Sequence, residues 1–266
     1  MAPRQPSARP SRCWSRPAES ALHPIDTNAK NDNDAVLHHH QGHKAVSTDL
    51  TLREEIVAHG LKLTPSGLSQ GTSGNLSIRS GTGFLITPSG TPYDRIAPAD
   101  IVPVEMDGRY EHRLRPSSEW RFHRDIYAAR PDVHAVVHAH PPYSTALAMC
   151  RIEIPAAHYM IAVSGGDSIR CADYYTYGTQ ALSDAVINAL EGRMACLLAN
   201  HGMIATGATM EQAMWRAIEV ETLARQYALA LQIGKPVMLR DEEVTQVLEK
   251  FSNYGLMSKN ESSPST

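Results

Sequence analysis

The run Val136-Val137-His138-Ala139-His140 constrains this chain more than any other stretch, because an apolar strand pattern ends in two histidines one residue apart. Side chains alternate faces along a β-strand, so His138 and His140 leave the same face together at the strand's end. That is half of a metal site. The plain alternative is two polar residues marking where a strand reaches solvent, so a metal reading needs further ligands elsewhere.

A second buried-strand pattern, Met194 to Ala199, runs into Asn200-His201-Gly202 and places a third histidine at a strand end. Pro116-Ser117-Ser118-Glu119-Trp120 reads as a helix start, where free N–H groups and the positive end of the helix dipole favour an anion. Its ordinary reading is a Ser117 cap with Glu119 as a first-turn carboxylate. Three histidines and one carboxylate have the composition of a zinc site whose fourth ligand exchanges for substrate.

Two glycine-rich turns accompany these residues, each at a strand end. Gly71-Thr72-Ser73-Gly74-Asn75 precedes the alternating Leu76-Ser77-Ile78-Arg79, and Phe84-Leu85-Ile86-Thr87 runs into Pro88-Ser89-Gly90. Such turns expose backbone N–H groups that cradle anions, although most are only tight turns. A metal beside three anion candidates suggests a phosphorylated substrate, with the metal as a Lewis acid and Glu119 moving a proton next to a carbonyl.

The remaining chain reads as a layered α/β domain. A helix capped at Ser47, Thr48 or Asp49 carries Leu52, Ile56, Val57 and Leu61; Ile101 to Val104 is a strand, with a hairpin turn at Asp107-Gly108 and a return from Tyr110. Helices are predicted over Tyr143 to Met149, Thr179 to Leu190, Met210 to Ile233 and Asp241 to Tyr254. Strands and helices interleave without an internal repeat, giving one domain over 47–256, a disordered extension over 1–46 rich in Pro, Arg and Ser with a His38-His39-His40 cluster, and a flexible tail over 257–266.

Composition excludes several classes. A formal net charge of -3 over 266 residues offers no electrostatic footprint for nucleic acid or an anionic membrane. No apolar run approaches the roughly 20 residues needed to span a bilayer. Cys13, Cys150, Cys171 and Cys196 show no paired spacing and read as reduced, buried thiols of a cytoplasmic protein.

Five motifs in order, Gly71–Ser77, Thr87–Gly90, Pro116–Glu119, His138–His140 and His201-Gly202, resemble the class II aldolase/adducin family, and the likeness extends from about Leu52 to Leu256. The resemblance implies a single-domain α/β/α sandwich around a mostly antiparallel sheet, assembled as a homotetramer. It implies one Zn2+ per subunit on His138, His140, His201 and Glu119, with Glu119 leaving the metal to act as acid/base. It also implies a phosphate site at Gly74, Asn75, Ser89, Gly90, Ser117 and Ser118, a Tyr159 that reaches a neighbouring subunit's site to protonate the aldehyde oxygen, and a Tyr254 that closes over the substrate. Tyr177 stands where relatives resemble a phenylalanine pattern.

The activity so implied is reversible cleavage of a ketose 1-phosphate, such as L-fuculose 1-phosphate, to dihydroxyacetone phosphate and an aldehyde such as L-lactaldehyde. Sugar-phosphate 4-epimerases of the family resemble a pattern with Asp at the position of Glu119; methylthioribulose-phosphate dehydratases and phosphate-sugar decarboxylases share the histidines. An adducin-like, non-enzymatic binding module is disfavoured because all three histidines are present. A lysine Schiff base is disfavoured as well: the six lysines (30, 44, 62, 235, 250 and 259) all lie away from the site motifs.

Overall fold

The computed structural model describes residues 38–252, with the side chains of the first helix described from 49 onward. A seven-stranded sheet is built from β1 (Asn75–Ser80), β2 (Gly83–Ile86), β3 (Val102–Glu105), β4 (Ala135–Ala139), β7 (Cys171–Ala172), β8 (Ala195–Leu198) and β9 (Gly202–Gly207). Its spatial order is β3-β2-β1-β4-β9-β8-β7, antiparallel throughout except for the β7/β8 pair at one edge. The short β5 (Ile154–Pro155) and β6 (Ser168–Ile169) form a separate two-stranded ladder.

Period-two alternation divides the strands between two apolar layers. Leu76, Leu85, Val137, Ala139, Leu197, Met203 and Ala205 face one side and pack with Ile56 of α1 (His38–Gly60), Leu147 of α3 (Pro142–Met149), and Ala213, Ala217, Val220 and Ala224 of α5 (Met210–Ile233). Phe84, Ile86, Val104, Val136, Leu198 and Ile204 face the other side, against Phe122, Ile126 and Tyr127 of α2 (Trp120–Ala129) and Leu182 and Val186 of α4 (Gln180–Ala189). The last helix, α6, spans Asp241–Ser252. The result is the α/β/α sandwich around a mostly antiparallel sheet that the motifs imply.

Four local readings differ. The first helix starts at His38, nine residues before the expected cap, and Asp49 accepts a hydrogen bond from Arg53 Nε at 2.8 Å one turn on instead of capping. The turn at Asp107-Gly108 forms, with Glu105 N–H donating to Arg109 O at 2.9 Å, but no return strand follows, because His112 and Arg113 tie the exposed segment to Ala99 O and to the Asp100 carboxylate. Gly202–Gly207, not read as a strand, is β9, an interior strand between β4 and β8. Cys171 is half-buried and Cys150, at the C-cap of α3, is exposed, so of the described cysteines only Cys196 fits the buried reading. Readings that fall on 1–37 and 253–266, Cys13 and Tyr254 among them, lie outside the described residues. Among the described residues no helix is long and apolar enough to cross a membrane.

Candidate active site

Parity places the first two histidines. His138 follows Val136 by two residues and so faces the α2 side of the sheet, where the N-terminus of α2 brings Glu119. His201 arrives from the β8/β9 turn, because β9 lies between β8 and β4 and pairs Met203 with Ala139. Gly202 permits that approach: a Cβ there would collide with the Ala139 carbonyl oxygen and sit 2.6 Å from His140 Cδ2. Asn200, just before, takes a left-handed backbone with φ 55°.

The three imidazoles converge, with ring centroids 4.7–5.0 Å apart and one nitrogen of each within 4.8 Å of the others. His138 Nε2 and His140 Nε2 face each other at 2.9 Å. His138 Nδ1 lies 2.9 Å from the Met203 carbonyl, which only accepts, so Nδ1 carries the proton and Nε2 presents its lone pair to the cluster. Glu119, 6% exposed, sets Oε2 3.2 Å from His138 Nε2 and Oε1 3.2 Å from His201 Nε2. Its Oε1 is buried without a well-formed hydrogen bond. Converging lone pairs beside an orphaned carboxylate oxygen are the donor set a divalent metal completes, so these residues fit a metal ion.

Charges follow the same geometry. Burial pushes the Glu119 carboxyl up, but interaction with His138 and His201 outweighs it and holds the group well below the usual carboxylate range. Burial, then the neighbouring His138 and His201, pushes His140 down to about 3, keeping it neutral as a ligand must be.

The anion candidates gather at the same place. Pro88 bridges Pro116, Ser89 N–H donates to Arg115 O at 3.0 Å, and Ser117 N–H donates to Thr87 O at 3.0 Å, so the Ser89-Gly90 turn is zipped against Ser117-Ser118. Gly74, at φ 82°, turns the chain into β1 with no room for a side chain, since a Cβ would lie 2.7 Å from the His138 carbonyl oxygen. Ser117 does not cap α2 in the expected manner; its Oγ accepts from Glu119 N–H at 3.3 Å and helps hold Glu119 at the N-cap. Gly74, Asn75, Ser89, Gly90, Ser117 and Ser118 all line one cavity of about 360 Å³ together with Glu119, His140 and His201.

Other residues at the cavity were not singled out by sequence reasoning. Tyr174 and Tyr175 join Tyr177 along one wall, and Asn200 lies beside His201. Three tyrosines within four residues were the available signal. Tyr159 does not line the cavity: it is 53% exposed, on a 3-10 turn over Tyr159–Ser164, with its ring 4.8 Å from that of His158. A buried network behind Asn75, through His123, Ser77 and Tyr127, was also missed.

Comparison with known proteins agrees with this geometry. Residues 54–228 match the model of the Class II Aldolase and Adducin N-terminal domain. A 5-methylthioribulose-1-phosphate/5-deoxyribulose-1-phosphate aldolase of Rhodospirillum rubrum is 52% identical over 206 residues, covering 77% of this chain and 93% of its own. The L-fuculose phosphate aldolase of Escherichia coli K12 is 49% identical, covering 77% of this chain and 96% of its own. A solved structure of an L-fuculose 1-phosphate aldolase superposes with a TM-score of 0.74 at 42% identity, covering 76% of this chain and 96% of that one.

Proposed function

The chain belongs to the class II aldolase and adducin family, and from that premise we propose that it is a zinc-dependent aldolase cleaving a ketose 1-phosphate to dihydroxyacetone phosphate and a short aldehyde. The observation that carries this reading is the position of Glu119, which touches His138 and His201 at 3.2 Å and lines the same cavity as the three anion candidates.

When bound by His138, His140, His201 and Glu119, zinc supplies a Lewis acid beside the substrate carbonyl. The chain's own residues do the rest. Backbone N–H groups and side chains of Gly74, Asn75, Ser89, Gly90, Ser117 and Ser118 hold the phosphate and fix the register of the sugar carbons. As the C3–C4 bond breaks, the C4 hydroxyl passes its proton through the Tyr159 hydroxyl of a neighbouring subunit to water, Glu119 takes one up from water, and the bonding pair stays on C3. Glu119, which lines the cavity, returns a proton to C3.

In the condensation direction Tyr159 of a neighbouring subunit donates to the aldehyde oxygen. Its exposure away from its own cavity supports a role across an interface, and with it a homotetramer. A cytoplasmic location accompanies the reduced thiols.

The aldehyde end decides the natural substrate. Relatives of nearly equal identity carry the names of fuculose-phosphate and of methylthioribulose/deoxyribulose-phosphate aldolases, so the shared part is the phosphorylated three-carbon end. Tyr174, Tyr175 and Tyr177 line the remaining wall with aromatic surface suited to a deoxy or thioether terminus. The test is a panel of L-fuculose 1-phosphate, L-rhamnulose 1-phosphate, 5-methylthioribulose 1-phosphate and L-ribulose 5-phosphate, with and without chelator. Dihydroxyacetone phosphate released from a ketose 1-phosphate, and abolished by chelator, is expected. Chelator-insensitive cleavage, or epimerisation without cleavage, overturns the reading.

A further inference from the structure

Behind the cavity wall, α2 and β1 are joined by an unbroken chain of buried polar side chains. Asn75 Nδ2 donates to Glu119 Oε2 at 3.0 Å, and His123 Nε2 lies 2.5 Å from Asn75 Oδ1. His123 Nδ1 lies 2.6 Å from Ser77 Oγ, which is 2.7 Å from Tyr127 Oη. His123 and Ser77 are wholly buried and Asn75 nearly so. The zipper follows from the two periods: positions 119, 123 and 127 are four apart on a helix, advancing about 6 Å per step, while 75 and 77 are two apart on a strand, advancing about 6.6 Å. Helix and strand side chains therefore alternate along the row.

The direction of every hydrogen bond follows from the inventory of donors. The Glu119 carboxylate only accepts, so Asn75 must turn its NH2 group toward it. The Asn75 oxygen then faces His123, whose Nε2 must carry the proton. Burial keeps the imidazole neutral, which leaves Nδ1 as an acceptor, so Ser77 donates to it and Tyr127 donates to Ser77. All four protons point toward Glu119. Reversing the amide would set Asn75 Oδ1 against Glu119 Oε2, two acceptors at hydrogen-bond distance, and push the carboxylate off its contacts with His138 and His201.

We propose that His123 is a positioning residue for the aldol reaction: through Asn75 it holds Glu119 in place, with Ser77 and Tyr127 locking the histidine tautomer that does so. Glu119 carries the proton in this scheme as proposed above, and its placement is what the row supplies. Asn75 also lines the cavity, so the same amide orientation serves the substrate side.

Long-range 1H–15N NMR of the zinc-loaded protein carrying 15N-histidine reads the tautomer directly. His123 is expected to show a protonated Nε2 and an unprotonated Nδ1; the opposite tautomer overturns the proposal. Replacing the donor in His123→Leu should weaken zinc retention against a chelator and lower kcat by about 10–100-fold, as loss of a partner behind metal ligands does, with KM little changed. His123→Gln, whose NH2 reaches the place of Nε2, should recover most of both. A folded His123→Leu protein with wild-type zinc retention and kcat, or a Gln variant no better than it, overturns the proposal. If His123→Leu does not fold, the wild-type tautomer and the Gln variant still decide. The tautomer and chelator measurements need no substrate, so a failed aldolase assignment appears as no turnover with the tautomer intact, and a failed positioning role as the wrong tautomer in an active enzyme.

Discussion

Asn75 and His138 are paired across the β1/β4 ladder, and both address Glu119: Asn75 Nδ2 donates to its Oε2 at 3.0 Å, while His138 Nε2 lies 3.2 Å from the same oxygen. One carboxylate oxygen thus joins the glycine-rich turn that opens β1 to the histidine cluster that closes β4. In the proposed reaction Glu119 is a proton carrier between the phosphate site and the Lewis acid, which is what cleavage beside a carbonyl requires.

His140, only partly buried, offers a way to test the metal. His140→Ala removes one of three converging nitrogens and should lose bound zinc in dialysis followed by elemental analysis, with activity falling to that of the chelated protein. Stoichiometric zinc in the variant would remove His140 from the ligand set.

Glu119→Gln keeps the shape of the side chain but cannot carry a proton. Turnover should fall on the order of 10²–10⁴-fold, while an unreactive phosphate analogue still binds in calorimetry. Near-normal kcat would take the proton-transfer role away from Glu119.

Mixing Tyr159→Phe and His138→Ala chains tests the shared site. Each alone should be inactive, whereas refolded mixed tetramers should regain roughly one quarter of wild-type activity, because random assembly pairs an intact metal site with an intact neighbouring tyrosine at about that frequency. Mixed tetramers, confirmed by mass, that stay inactive would place Tyr159 outside the reaction.

Acid stability carries a signature of His123, which burial and then the nearby His138 push down to about 3 from an ordinary 6.5. The folded state binds fewer protons than the unfolded chain between those values, so the term is absent above pH 6.5 and stability falls as pH drops from 6.5 toward 3, by up to about 1.4 kcal/mol per unit. Urea midpoints of the wild type and His123→Gln, measured at pH 7 and pH 5, should show a smaller acid loss in the variant. Equal losses would mean that His123 titrates normally.

Short-range patterns settled much of this protein from sequence. Period two put His138 and His140 on one face, turn chemistry marked Gly74-Asn75 and Ser89-Gly90, and helical spacing gave α5 its ends at Met210 and Ile233. The family motifs supplied the rest of the candidate set. The return strand after Asp107-Gly108 failed because the local turn was right but nothing offered Tyr110 onward a buried face, while exposed anchors at Ala99 and Asp100 did.

Tertiary structure decided what lies far apart in sequence. That β9 inserts between β8 and β4 brings His201 to His138, and no local period encodes the order of strands in a sheet. Ser117-Ser118-Glu119 reads locally as a helix start, and that its carboxylate is buried follows from the Thr87–Ser89 segment zipped against it. No local pattern joins Asn75, Ser77, His123 and Tyr127; only the packing of α2 on β1 matches a helix step to a strand step and turns them into a single row of donors ending at Glu119.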